Sequence, residues 1–216
     1  RLLARGPRFR MDGETLRDAA LAVSGLLVER VGGPPVKPYQ PAGMWEEVAM
    51  PEANTKIYEP GTGEDLYRRS IYTFWKRASP PPSMETFDSP SRELVCVKRP
   101  RSNTPLQAFV TLNDVQWVEA ARKLAERALH GASDEKARFA FLATTTLGRA
   151  PSEREQRVLA ASLQRFSTHF RSDRNSAILL TGVGEASSDP RLDVSELASW
   201  TLVASQLLNL DEFLTK

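Results

Sequence analysis

Cationic and aromatic side chains suited to binding an anionic ligand are concentrated between Tyr67 and Arg101. The segment RRSIYTFWKR runs from Arg68 to Arg77, and further cations follow up to Arg101. Guanidinium groups form paired hydrogen bonds with anionic groups, and flat rings stack on planar ligands. This composition predicts a site for an anionic polysaccharide, with single-stranded nucleic acid the less favoured ligand. The predicted binding residues are Arg68, Arg69, Tyr72, Trp75, Lys76, Arg77, Arg99 and Arg101.

The charge of this region differs from that of the chain as a whole. Residues 67–101 include eight basic and three acidic residues, whereas the 216 residues together carry a net charge of +2. Residues 185–216 have the opposite balance, with six acidic and two basic residues. A second interpretation therefore buries the rings in the core and pairs the cations with this acidic C-terminal segment. A third is salt-sensitive docking of the basic region on another domain.

Three carboxylates in METFDSPSRE offer a different chemistry. Glu85, Asp88 and Glu93 are close in sequence, and two carboxylates facing each other across a cleft are the machinery of many glycosidases. The alternative function is therefore a carboxylate-dependent hydrolase acting on polysaccharide. Asp-Ser-Pro is also a common turn composition, so the structural interpretation is favoured for these residues.

Other reactive side chains predict neither a metal site nor a nucleophile. His130 and His169 fall in separate predicted helices without a second ligand at metal-binding spacing. The single cysteine, Cys96, lies between two valines in a predicted strand, which favours a buried, inert thiol. We therefore predict no catalytic residue, no metal and no cofactor.

The basic region requires two short strands to position it. RRSIYTFWKR is rich in aromatic and β-branched residues, and RELVCVK, from Arg92 to Lys98, has a similar composition. Prolines 80–82 break the chain between them, so the two segments are expected to form a small two-stranded antiparallel β-ribbon.

Helices are predicted for most of the remaining chain. The first begins near Asp12, with Gly32 placed to end it. The capping-box pattern occurs twice, in Thr104-Pro105-Leu106-Gln107 and in Ser152-Glu153-Arg154-Glu155. Further predicted N-caps are Asp114 and Asp193. Residues 32–66 read as a long ordered loop. The predicted fold class is mostly α, with antiparallel helices, long ordered loops and the small β-ribbon.

Length and composition are those of a globular domain. With 216 residues, 41% hydrophobic and 26% charged, the chain can form a substantial core, and it contains no apolar run long enough to span a membrane. The low net charge gives no global case for nucleic acid as a partner. The chain starts at Arg1 without a methionine, so we expect residues 1–216 to form a single domain, the C-terminal part of a longer multi-domain protein.

Several blocks together resemble the planctomycete cytochrome-associated C-terminal domain of unknown function. They are LRDAALAVSGLL, GGPPVKPYQPAGMWE, YRRSIYTFWKR, PPPSMETFDSP, RPRSNTPLQAFVTLND and ELASWTLVASQLLNLDEF. The resemblance implies an exported protein, periplasmic or at the cell surface, with c-type cytochrome modules upstream and no established activity. Because the chain lacks Cys-x-x-Cys-His, it should bind no haem covalently.

These observations favour a non-catalytic interaction or scaffold module in an exported cytochrome-bearing bacterial protein. Its expected partners are an anionic polysaccharide or the upstream cytochrome module of the same protein.

Overall fold

The computed structural model describes residue 6 and residues 8–216, and this part of the chain is mostly helical, as predicted. Two short 3-10 turns, Gly63–Tyr67 and Ser70–Tyr72, precede most of the helices. Across the described residues there are ten α-helices: α1 Gly13–Ser24, α2 Met44–Val48, α3 Pro82–Glu85, α4 Pro105–Asn113, α5 Val115–Gly131, α6 Glu135–Leu147, α7 Glu153–Ser172, α8 Arg174–Thr181, α9 Val194–Leu208 and α10 Asp211–Leu214. Among these helices, none is both long enough and apolar enough to cross a bilayer.

Helices α5 and α9 pack against each other at the centre of the structure. α1 and α6 cover other faces of α5, while α7 and α8 lie against α9. Alanines at 120, 121, 125 and 128 line the buried side of α5, and their small side chains allow neighbouring helices to approach closely. The buried side of α9 is an apolar stripe at helical spacing, and it comprises Leu197, Trp200, Val203, Ala204, Leu207 and Leu208.

Most predicted helix starts are confirmed. The Asp114 side chain accepts a hydrogen bond from the Gln116 backbone nitrogen, and Asp193 caps α9 in the same way. Ser152 and Glu155 form the full reciprocal capping box at the start of α7. Local side-chain chemistry is therefore sufficient to fix where these helices begin.

The first helix is shorter than predicted. It ends at Ser24, because Gly25 adopts a left-handed conformation with φ of 80° and closes the helix seven residues before Gly32, the predicted end. The backbone nitrogens of Leu26 and Leu27 then donate to the Leu21 carbonyl. Glycine takes this conformation without steric strain, and it is a common residue at helix ends.

The predicted β-ribbon is not formed in residues 8–216. Ser70–Tyr72 is a 3-10 turn, and the hydrogen-bonding edges on either side of it pair with the preceding loop: Val28 forms a parallel bridge with Arg68, and Val36 forms one with Thr73. The second predicted strand is an exposed loop. The long loop before residue 66 therefore occupies the edges that the ribbon required.

That long loop is ordered around a buried tryptophan. Trp45 is 1% exposed, and its ring lies 4.8 Å from the ring of Tyr58 and 5.6 Å from that of Phe74. The Lys76 ammonium lies 4.7 Å from the Trp45 ring centre. The aromatic residues of the loop thus supply a small core of their own.

Backbone atoms near the two ends of the chain pair with each other. The nitrogens of Phe9 and Lys216 each donate to the other residue's carbonyl at 2.9 Å, and the Met11 nitrogen donates to the Leu214 carbonyl at 3.0 Å. Arg10 and Thr215 form an antiparallel bridge between these contacts. This pairing holds the beginning of the described chain against α10.

Candidate functional site

Residues 91–101 form a surface loop that we call the basic loop. Its first end is fixed to Trp75: the indole Nε1 donates to the Ser91 carbonyl at 2.9 Å, and the Arg92 guanidinium lies 4.4 Å from the ring centre. Arg92 itself has a positive φ of 65°, a conformation that a residue other than glycine adopts infrequently. The tryptophan therefore serves as the support on which the loop begins.

The other end of the basic loop is fixed to the start of α1. Arg99 lies 2.9 Å from Glu14 and 3.7 Å from Asp12. Just beyond the loop, Ser102 donates to the Asp88 carboxylate from its backbone nitrogen at 2.7 Å and from its hydroxyl. These contacts close a loop whose two ends are both tied to the folded body.

Electrostatics at this second anchor favour the ionised Glu14 carboxylate. Burial alone would raise the pKa of Glu14, but hydrogen bonds from its own backbone, from Arg99 and from Ser89, together with the Arg99 charge, lower it below the ordinary value of 4.5. The Ser89 hydroxyl donates to Glu14 at 3.1 Å. The carboxylate is thus charged at neutral pH and attracts the Arg99 guanidinium.

Between its anchors, the basic loop presents apolar side chains to solvent. Leu94, Val95 and Val97 are 84%, 94% and 96% exposed. Cys96 is also exposed, so the prediction of a buried thiol was wrong: the strand that would have buried it is not formed. Exposed aliphatic side chains next to one another are a feature of surfaces that contact a partner.

Cations flank this apolar tip. The loop contains four basic residues and one acidic residue, Glu93. A groove of about 660 Å³ lies along its second half, lined by Asp12, Lys98, Arg99, Pro100 and Arg101. The Arg101 guanidinium lies 4.3 Å from the ring centre of Phe9. The loop therefore combines an aliphatic tip with a net positive base.

The eight predicted binding residues do not form one face. Arg68 is fully buried, and its guanidinium donates to the carbonyls of Arg30, Gly32 and Pro34 while lying 4.0 Å from the Tyr72 ring centre. The Tyr72 hydroxyl in turn accepts from the Gly32 backbone nitrogen. This pair holds the loop before residue 36 in place.

The other six predicted residues are divided between internal and exposed positions. Lys76 donates to the Thr55 carbonyl at 2.9 Å, inside the Trp45 cluster. Arg69 lies 3.7 Å from Glu29, and Arg77 is exposed. Trp75, Arg99 and Arg101 belong to the basic loop or to its anchors. The structure therefore brings together only these three of the eight.

Acidic residues of the C-terminal segment pair elsewhere in the described structure. Glu196 lies 2.8 Å from Arg138, Asp211 lies 3.0 Å from Arg8, and Glu212 lies 2.7 Å from Arg149. The interpretation that paired this segment with the basic region is therefore wrong, because helix packing places these carboxylates beside cations of other segments.

The candidate hydrolase residues have separate environments. The Asp88 carboxylate accepts hydrogen bonds from Ser102, and the Asp88 backbone has a positive φ of 60°. Glu85 and Glu93 are exposed. Of the two histidines, His130 lies 2.9 Å from Asp189. Within the described residues, no three His, Cys, Asp or Glu side chains are close enough to hold a metal ion.

A buried polar network was missed by the sequence reasoning. Glu119 is fully buried on α5, and its Oε1 accepts hydrogen bonds from the Ala186 backbone nitrogen at 2.7 Å and the Tyr67 hydroxyl at 2.9 Å. Arg122, one turn further along α5, donates to Glu126 at 2.9 Å and also to the Ala186 carbonyl. The signal was present as Glu-x-x-Arg-x-x-x-Glu on one helix face. This network ties the loop after α8 to the core.

A comparison with protein families assigns the chain. The family model described as PSD1, a protein of unknown function (DUF1553), matches residues 1–163, which is three quarters of the sequence. The chain belongs to the PSD1 family. The match confirms the part of the predicted resemblance that concerns a family without an assigned function. No curated protein and no solved structure matches the chain.

The PSD1 match includes the candidate site. Residues 1–163 contain the basic loop, its anchors at Trp75 and Glu14, and helices α1 to α6. Helices α8, α9 and α10 follow the matched residues, although α9 supplies much of the core. The basic loop thus lies within the residues that match the PSD1 family.

Proposed function

We propose that this chain is a non-catalytic interaction module whose basic loop docks on an acidic surface of a partner protein domain. The observation that carries the proposal is the composition of the loop: three aliphatic side chains at least 84% exposed, between cations and held at both ends. Aliphatic groups gain from burial against another protein, and flanking cations steer and orient the encounter. A loop with fixed ends also loses less conformational freedom on binding.

The aromatic rings favour a protein partner over an anionic polysaccharide. Stacking on a sugar or a base requires a free ring face. Trp75 is faced by Arg92, Tyr72 by Arg68, and Phe9 by Arg101, so these rings already have a cation from the same chain on them. Trp75 and Phe9 therefore support the basic loop, Tyr72 supports the loop before residue 36, and the aliphatic tip of the basic loop is left to make contact.

The partner we propose is the upstream cytochrome module of the same protein. The resemblance of the sequence blocks implies such a module, and with it an exported bacterial protein, periplasmic or at the cell surface, that ends in this domain. An acidic face on that module would complement Arg92, Lys98 and Arg101.

The test is a titration of the 216-residue chain with the separately produced cytochrome module at low and high salt. We expect salt to weaken binding. The double variant Lys98→Glu with Arg101→Glu should weaken binding by about tenfold or more. A matched control reverses two exposed cations of α6 and α7, Lys136→Glu with Arg157→Glu, and should bind like the unchanged chain.

A panel of sulfated, carboxylated and neutral polysaccharides is titrated in parallel. Binding to the sulfated or carboxylated members that is lost on Trp75→Ala would replace the protein partner by a polysaccharide. If the cytochrome module binds the loop variant and the control equally, the basic loop is not the docking surface.

A further inference from the structure

Helix α4 has its polar and apolar faces reversed relative to the core. Gln107 and Thr111 point inwards and are each 1% exposed, whereas Leu106 and Phe109 are each 64% exposed and Leu112 is 43% exposed. The three exposed residues recur at three-residue spacing, so they form one ridge along the outer side of the helix. We call Leu106, Phe109 and Leu112 the α4 ridge.

Hydrogen bonds fix this reversed orientation. The Gln107 side-chain nitrogen donates to the Thr86 carbonyl at 3.1 Å and to the Ser102 carbonyl at 3.3 Å, and the Thr111 hydroxyl donates to the Asn209 side chain. Rotating α4 to bury Phe109 would break these bonds and leave buried polar groups without partners, which is costly. The outward position of the ridge is therefore built into the packing.

An apolar groove lies beside the ridge. It has a volume of about 610 Å³ and runs between the end of α4 and helices α6, α7 and α9. Leu112 belongs both to the ridge and to the wall of the groove. The other aliphatic residues in its lining are Ala143, Leu147, Val158, Leu159, Leu207 and Leu210. A projecting apolar ridge and an apolar recess are thus continuous on one surface.

The ridge and the groove carry little charge. α4 contains no Asp, Glu, Lys or Arg. The groove has one residue of each sign, Arg154 and Glu155, and Glu155 already pairs with Arg149 at 2.7 Å. A strongly charged partner would find no complementary charge here. A second copy of the same surface would meet no like charge from α4 across a two-fold axis.

We propose that two copies of this chain form a two-fold symmetric dimer in which the α4 ridge of each copy packs into the groove of the other. A two-fold interface requires a self-complementary surface, and an adjacent ridge and recess of the same apolar character supply one. The two-fold axis generates this contact twice, so that Phe109 of each copy is buried in the groove of the other. Aromatic side chains near the centre of an interface contribute most to affinity. This dimer does not involve the basic loop.

The test is the mass of the 216-residue chain in solution over a wide range of concentration, measured by sedimentation velocity. We expect twice the chain mass of 24.0 kDa at high concentration. Phe109→Glu should weaken dimerisation by at least roughly 30-fold, the loss expected for a central hot-spot residue. The side chain is exposed in the single chain, so the variant should fold normally. The matched control is Leu179→Glu on α8, which is 74% exposed and should dimerise like the unchanged chain.

Cross-linking tests the arrangement directly. One sample carries Phe109→Cys and a second carries Val158→Cys, both with Cys96→Ser, and the two are mixed under mild oxidation. A disulfide dimer that requires both variants supports the ridge-in-groove contact.

A mass of 24.0 kDa at every concentration overturns the proposal. So does a dimer that Phe109→Glu leaves intact, or a monomer that binds neutral lipid vesicles through Phe109. The loop variant Lys98→Glu with Arg101→Glu should still dimerise, which separates this result from that of the docking experiment.

Discussion

Gly184 leaves the space that the buried carboxylate of Glu119 occupies. A Cβ atom at position 184 would clash with Glu119 Oε1, and the backbone there has a φ of 88°. Because the same oxygen accepts a hydrogen bond from the Ala186 nitrogen, the loop after α8 closes directly over the carboxylate. The position therefore requires glycine both for its conformation and for its lack of a side chain.

Replacing Gly184 by alanine should lower stability sharply. The left-handed conformation costs a residue with a side chain about 1–2 kcal/mol. The clash with Glu119 should add about 1–3 kcal/mol of overpacking. Thermal unfolding is the measurement, since each kcal/mol corresponds to about 2–4 °C for a chain of this size.

Gly148→Ala is the matched control. Gly148 has a φ of 71°, but a Cβ there would meet nothing within 4 Å. It should show only the conformational cost, and the difference between the two variants isolates the clash. Equal melting temperatures for the two variants would mean that the loop moves aside without cost.

Arg68→Ala should destabilise the fold, whereas Arg77→Ala should not. Arg68 is fully buried and satisfies three loop carbonyls, so its removal should cost about 1–3 kcal/mol in the free energy of unfolding. Arg77 is exposed, and its replacement should change stability by less than about 0.5 kcal/mol. Chemical denaturation of the two variants makes the comparison. A neutral Arg68→Ala would contradict the assignment of this residue to the loop's internal support.

Acid should weaken the second anchor of the basic loop. The pKa of Glu14 in the folded chain is below its ordinary value of 4.5, so the contribution of this carboxylate to stability is complete above that pH and is lost as the pH falls through the lower, folded value. A carbon NMR titration of Glu14 reports its pKa. Arg99→Gln should raise that pKa towards the ordinary value, because it removes a charged donor, and Arg77→Gln should leave it unchanged. An identical Glu14 titration in all three proteins would exclude the Arg99 contact in solution.

Cys96 should react in the native state. Its side chain is exposed at the tip of the basic loop, so a chromogenic disulfide reagent should titrate one thiol per chain without denaturant, at a rate close to that of the unfolded protein. Cys96→Ser should give no signal. Reaction that begins only after denaturation would place the loop tip inside the fold. Protection by an added partner would map docking to this tip.

Signals contained within a few residues predicted structure well. Asp114, Ser152 and Asp193 cap their helices as expected, because the groups that they satisfy are two or three residues away. The helical spacing of the apolar residues in α9 also indicates which face is buried. In each case, the information needed was local or periodic.

Features that depend on distant partners were not predictable in this way. The Thr104 side chain makes no capping hydrogen bond, and the Gln107 side chain donates instead to the carbonyls of Thr86 and Ser102. The first capping-box pattern therefore predicted where α4 begins, but not the hydrogen bonds that these two side chains make. The ribbon failed because loop residues far back in the sequence, Val28 and Val36, occupy its edges.

The candidate site shows the same division. Residue types identified the basic region, but burial separated its members: Arg68 and Arg69 are neighbours in sequence, yet one is fully buried and the other is exposed. Arg92 contacts Trp75, 17 positions earlier in the sequence, and Arg101 contacts Phe9, 92 positions earlier. No short pattern encodes such pairings.

The pairing of Phe9 with Lys216 brings the two ends of the described chain to one place on the surface. A force that pulls Phe9 and Lys216 apart would therefore act first on this backbone pairing. Such a force would break the hydrogen bonds between Phe9 and Lys216 and then the bond between Met11 and Leu214, before it reached α5 and α9. The backbone pairing of Phe9 with Lys216 would therefore open first, with the helical core still folded.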